Sequence, residues 1–152
     1  MNSKFEFKSA LLAGFVGTAA MTIFTFMAPL MGFEMNIPKM LASTMGLPIF
    51  FGWLAHFMIG EILAISYAAI FLKTINADPG IKSGALFSLL PWLAAQIMVM
   101  PMMSIMNGGD YLSGFFSGSI LITSASLMGH LIYGAIIGAI YENVPIPVTA
   151  SA

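Results

Sequence analysis

Four stretches of this sequence, about Ser9 to Phe33, Ile49 to Leu72, Ala85 to Met106 and Ile120 to Tyr141, are almost free of charge. A helix that crosses a bilayer needs roughly 20 mainly apolar residues, and each stretch is long enough. No soluble domain could bury four such helices, because only 7% of the 152 residues are charged against 59% hydrophobic. With so few charges to face water, the excess apolar surface must face lipid. The first stretch begins like a secretory signal, with Lys4 and Lys8 ahead of it and small residues at Ala19 and Ala20. Its apolar run continues far beyond the core of a cleaved signal, so it is expected to stay as the first span.

The five lysines orient the chain. Lys4 and Lys8 precede the first span, Lys73 and Lys82 flank the connection between the second and third, and only Lys39 lies on the other side. The positive-inside rule therefore predicts cytoplasmic termini and a cytoplasmic middle loop. Of the two outer connections, NIPKMLASTMG has Asn36 as a cap, Pro38 in the first turn, and Gly46 with Pro48 as a stop, and predicts a short interfacial helix. The other, GGDYLSGFFSGS, has Asp110 in a similar capping position but is rich in glycine, which weakens its helical signal.

The chain has two histidines, His56 and His130, and 130 − 56 gives a separation of 74, close to half its length. At that offset Gly60 falls on Gly134, Ile62 on Ile136, Tyr67 on Tyr141, the pair Lys8-Ser9 on Lys82-Ser83, and the cap Asn36 on Asp110. Lysine and tyrosine are scarce here, so their coincidence carries weight. The pattern predicts an internal duplication, with repeat 1 about 1–74 and repeat 2 about 75–152 of one integral membrane domain, 1–152. Two spans per repeat give both halves the same membrane orientation, related by an axis along the bilayer normal.

Helical geometry returns to nearly the same face after eleven residues. Tyr67 should thus lie beneath His56, and Tyr141 beneath His130. Each histidine also stands in a row of small residues spaced by four: Gly52, His56, Gly60 and Ala64, then Ser126, His130, Gly134 and Gly138. Such rows let a partner backbone, or a flat ligand, approach closely. On one reading they are packing seams, with the histidines hydrogen-bonded to neighbouring spans; Thr22 and Gln96, equivalent at the same offset, are the available partners. On the other, the two imidazoles face each other and supply both axial ligands of a b-type haem, with Gly60 and Gly134 leaving room for the macrocycle.

Glu61 is near the middle of the second span, where an unpaired carboxylate costs several kcal/mol. It points about 140° away from His56, and its equivalent is Ala135. Proton relay or ion coupling is one role for such a group; a neutral, hydrogen-bonded carboxyl is the other. Pro91 and Pro101 interrupt the third span, and Met98, Met100, Met102, Met103 and Met106 crowd its outer end. Methionines bind soft metals such as Cu(I) but serve more often as adaptable packing.

The absence of cysteine excludes disulfides and thiol chemistry. No nucleophile–base pair, paired catalytic carboxylates or phosphate loop is present, so no enzyme is predicted. The net charge of −1 gives no basic patch for nucleic acid.

The segments GFVGTAAMT, GWLAHFMIGE and GHLIYGAIIGAIYE, with the four-span layout, resemble small uncharacterised bacterial inner-membrane proteins related to the YagU family. The resemblance implies an inner (cytoplasmic) membrane location and no established activity. The expected fold is an all-α membrane protein, a four-helix bundle made of two tandem two-helix repeats. Its expected role is a non-enzymatic binding or accessory subunit organised around His56 and His130, with haem b as the candidate cofactor. Its partners would be the lipid bilayer and other membrane subunits or copies of itself. The alternatives are a small proton-coupled transporter or channel using Glu61, and a purely structural subunit.

Overall fold

A computed structural model describes residues 5–143, and for Glu142 and Asn143 only the backbone. Among the described residues the chain is helical, without strands. Helix α1 (Phe7–Phe26) is extended by a 3-10 turn at Ala28–Met31. The short α2 spans Ile37–Met45, α3 runs over Ile49–Thr74 and α4 over Ile81–Met106. A single turn, α5 (Tyr111–Gly114), precedes α6 (Ile120–Asn143). The four long helices are long and apolar enough to cross a membrane. Large apolar side chains such as Phe15, Ile62, Ile70, Leu90 and Met98 stand exposed on their outer faces. This is a multi-pass membrane protein, with that surface turned to lipid.

Both predicted caps form. The Asn36 side chain accepts from Lys39 N–H at 2.9 Å. Asp110 accepts from Ser113 N–H at 2.8 Å, and the Ser113 hydroxyl accepts in return from Asp110 N–H at 3.3 Å. A reciprocal pair of this kind satisfies two amide groups that a helix start leaves open. It holds one helical turn in a connection where the glycines alone would not.

Two spans depart from the regular spiral. In α3 a π turn covers Tyr67–Phe71, and in α4 another covers Ala95–Val99, between Pro91 and Pro101. Pro91 cannot donate a main-chain hydrogen bond to the preceding turn, and the wide turn follows four residues later. The sequence marked α4 as interrupted, but nothing in it signalled the π turn in α3.

Helix α1 packs along both α3 and α6, and α4 packs along α6. The contact between α4 and α6 is set by glycine. A side chain at Gly84 would run into the main chain of Gly134 and Gly138, and one at Gly138 into Gly80. Without lipid-excluded surface to drive association, such backbone approaches and their van der Waals contacts hold membrane helices together. Gly52 in turn is covered by the Pro38 carbonyl and Ala42, so α2 lies across α3.

Helices α3 and α4 meet chiefly at the end where α1 begins and α6 stops. There Phe87 packs on Tyr67 and Phe71, with ring centroids 5.5 and 5.2 Å apart. The Tyr67 hydroxyl bonds Ser83 at 2.8 Å, and Tyr141 accepts from Glu6 N–H at 3.2 Å. Tyr67 and Tyr141 themselves meet edge to face, 6.2 Å apart. Toward the α2 side nothing comparable closes α3 onto α4, and a cavity opens between them.

Candidate functional site

The two histidines share this cavity. Its volume is about 340 Å³, and its wall includes His56 of α3 and His130 of α6. The cavity continues past Pro91 and Gln96 of α4 and under α2, whose Met40 and Leu41, with the preceding Met35, form its roof. Most of the wall is aliphatic or thioether surface. A cavity of this size, largely apolar with a few convergent polar groups, has the form of a small-molecule site.

The hydrogen bonds of each imidazole fix which nitrogen carries the proton. His56 Nε2 is 2.9 Å from Thr22 Oγ1. Because the Thr22 hydroxyl donates to the Thr18 carbonyl at 2.7 Å, its oxygen accepts from His56 Nε2–H. His56 therefore keeps the lone pair on Nδ1. His130 Nδ1 lies 2.8 Å from the Ser126 carbonyl, which can only accept, so Nδ1 carries the proton and Nε2 keeps the lone pair. Each neutral ring thus has one bare nitrogen, and that of His130 is fixed by a carbonyl in the way common to metal-binding histidines.

Thr22 is the partner expected for His56. Gln96 is not the partner of His130. Its amide nitrogen donates to Ser126 Oγ at 3.1 Å, and its carbonyl accepts from Ser117 at 2.7 Å. Both side-chain ends of this buried residue are thereby used. His130 and Gln96 meet only through Ser126, one on its carbonyl and the other on its hydroxyl.

The role expected of the glycines as open faces for a flat ligand is corrected. Gly60 borders the cavity but is backed by Thr18 of α1, while Gly134 is pressed against Gly84 and Ser88 of α4. These rows are packing seams. Tyr67 and Tyr141 lie at the closed end of the bundle, away from the cavity, and serve as fasteners there. A bis-histidine haem does not fit this arrangement. Helices fill the space beside both glycines, and His56 already donates its Nε2–H to Thr22.

Glu61 is turned elsewhere, as its helical angle required. Its carboxyl lies over Gly14 of α1, and its Oε2 is buried with no hydrogen-bond partner. Thr18, one turn along α1, has a hydroxyl that is likewise buried and without a partner. The contrast with its neighbours is informative: Thr22, Thr25, Thr44, Ser66 and Thr74 all donate to a carbonyl three or four residues earlier. The hydrogen bond expected of a neutral Glu61 carboxyl is not made at Oε2.

Tyr133, which the sequence reading did not single out, ties the middle of the bundle together. Its hydroxyl donates to the Gly60 carbonyl at 2.6 Å. Removing it in Tyr133→Phe should cost about 1 kcal/mol, the usual net value of such a bond. Detergent-titrated unfolding would measure this, and unchanged stability would show that the bond contributes nothing. Its position three residues after His130, in a chain with four tyrosines, was the available signal.

Fold and site together define a multi-pass α-helical membrane protein with an intramembrane, histidine-lined cavity. Residues 6–149 match the model of a family of unknown function, DUF6789, and the chain belongs to that family. The match bears out an uncharacterised family and does not reach YagU. No curated protein and no solved structure matches the chain.

Proposed function

We propose that this chain is a non-enzymatic binding protein of the bacterial inner membrane. It would hold a small ligand in the cavity between α3 and α4, as an accessory or carrier subunit among other membrane proteins. The observation that supports this reading is the shared cavity: His56 and His130, 74 residues apart, line the same largely apolar space.

A tandem duplication with cytoplasmic termini is part of the proposal. Adding 74 to Phe7 gives 81, where α4 starts, and adding 74 to Ile37 gives 111, where α5 starts. The contact of Tyr67 with Tyr141 joins two equivalent positions, which is where a twofold axis would run.

Native mass spectrometry of the detergent-purified protein tests the binding role. Ala95 lies on the cavity wall, and Ala95→Phe should fill the space. A non-protein mass carried by the wild type should be absent from the variant. Identical bound masses in both would sink the proposal.

A second reading, proton coupling through Glu61, is favoured by the two partnerless oxygens of Glu61 and Thr18 along the seam between α1 and α3. Proton flux into liposomes, lost in Glu61→Gln, would support it; unchanged flux would remove Glu61 from any such mechanism.

A further inference from the structure

Most of the polar groups on the cavity wall are electron-pair donors, beside the hydroxyls of Thr18 and Ser126. His130 offers its bare Nε2, and His56 keeps a lone pair rather than a proton on Nδ1. Both ends of Gln96 are engaged. Tyr133 donates to Gly60, so no free hydrogen-bond donor comes from it. Besides the hydroxyls of Thr18 and Ser126, the remaining functional groups on the wall are thioethers, contributed by Met21 of α1, Met35 and Met40 at the roof, and Met100 and Met103 of α4. No carboxylate joins them: Glu61 lies over Gly14, outside the lining.

An imidazole nitrogen without a proton and several thioethers on one wall suit a ligand that accepts electron pairs, which is to say a cation. Softness and charge narrow the choice. Thioether and imidazole donors select soft metals, with Cu(I) foremost. A neutral donor set in an apolar cavity cannot offset two positive charges, and the cost of burying an ion rises steeply with its charge. A monovalent ion is the one such a site can hold. Among the described residues no cluster of three or more histidines and acids exists that would suit a harder divalent metal.

We infer that the cavity binds a soft monovalent cation of the Cu(I) class, on His130 Nε2 and the thioether sulfurs of Met100 and Met103. The inference rests on the proposed binding role and gives that role its ligand chemistry. From sequence alone these methionines read as adaptable packing, with nothing to bring them to a histidine. The fold supplies that proximity instead, bringing methionines from three segments to one wall with His130.

The test uses the full chain in detergent, under anaerobic and reducing conditions, with Cu(I) delivered as its bicinchoninate complex. One Cu(I) per chain should be withdrawn from the chelator, and X-ray absorption should show a mixed sulfur and nitrogen shell. Met100→Leu with Met103→Leu, and separately His130→Ala, should each weaken binding at least tenfold, with helical circular dichroism unchanged for the methionine pair. The matched control is Met98→Leu with Met102→Leu, whose side chains stand 65% and 55% exposed on the same helix; it should bind copper as the wild type does. Failure of the wild type to take copper, or equal losses in the control, would overturn the inference. If copper fails but Ala95→Phe still removes a bound mass, the cavity is a ligand site of another chemistry; if neither moves, both readings fall.

Discussion

Gly84→Val is expected to be the most damaging single substitution in the membrane-embedded part of the protein, costing about 3 kcal/mol or more. Overpacking usually costs about 1–3 kcal/mol, because side chains can shift to make room. Here the new atoms would meet main chain, the Gly134 carbonyl first and the Gly138 nitrogen next, and a helix backbone cannot turn aside. To relieve the clash α4 would have to move off α6, which would break the remaining Gly134 and Gly138 contacts as well. A matched control lies on α6: a methyl group at Gly129 would find Met21 and Phe24 at 3.5 to 3.6 Å, ordinary contact distances. Gly129→Ala should therefore leave thermal stability in detergent almost unchanged, while Gly84→Val lowers it sharply or prevents a monodisperse product. Equal behaviour of the two would show that α4 and α6 are not held by backbone contact.

The second large effect has the opposite sign. Glu61→Leu should stabilise the protein by about 1–3 kcal/mol, the usual cost of a buried polar atom that lacks a partner. Leucine keeps comparable bulk over Gly14 and removes an oxygen that no group satisfies. Thr18→Val, almost the same shape, should stabilise for the same reason. Unfolding in a denaturing-detergent titration measures both. A loss of stability in Glu61→Leu would mean that the carboxyl is satisfied after all, by water or an ion. If the gain appears, the protein carries a costly acid in its second span, which is the pattern of a group retained for function rather than for folding.

The sequence disclosed the elements of this fold more readily than their arrangement. Apolar length located all four spans, and the fourth matched its expected limits, Ile120 to Tyr141. Asn36 and Asp110 announced their helices because capping is local chemistry, readable over four residues. The row Gly52, His56, Gly60 and Ala64 is buried throughout, as its spacing required. Periodicity shows which face of a helix turns inward but not what it meets. Thr22 and Gln96 looked alike by offset, yet only Thr22 bonds a histidine. The methionine-rich roof was beyond reach for a similar reason: Met35 and Met40 belong to a segment that folds back across α3, and nothing local records that return. Glu61 was read correctly as separate from His56, but its position over Gly14 depends on how closely α1 approaches α3.

The wide turn at Ala95–Val99 has a consequence for the cavity. A π turn accommodates one residue more than an α turn, so everything after it is rotated relative to everything before it. Pro91, Gln96, Met100 and Met103 all face the cavity, although no single regular spiral would give them that common direction. The wall is thus a matter of angular phase as much as of side-chain identity. A chain one residue shorter in this turn could keep every histidine and methionine and still present a different wall.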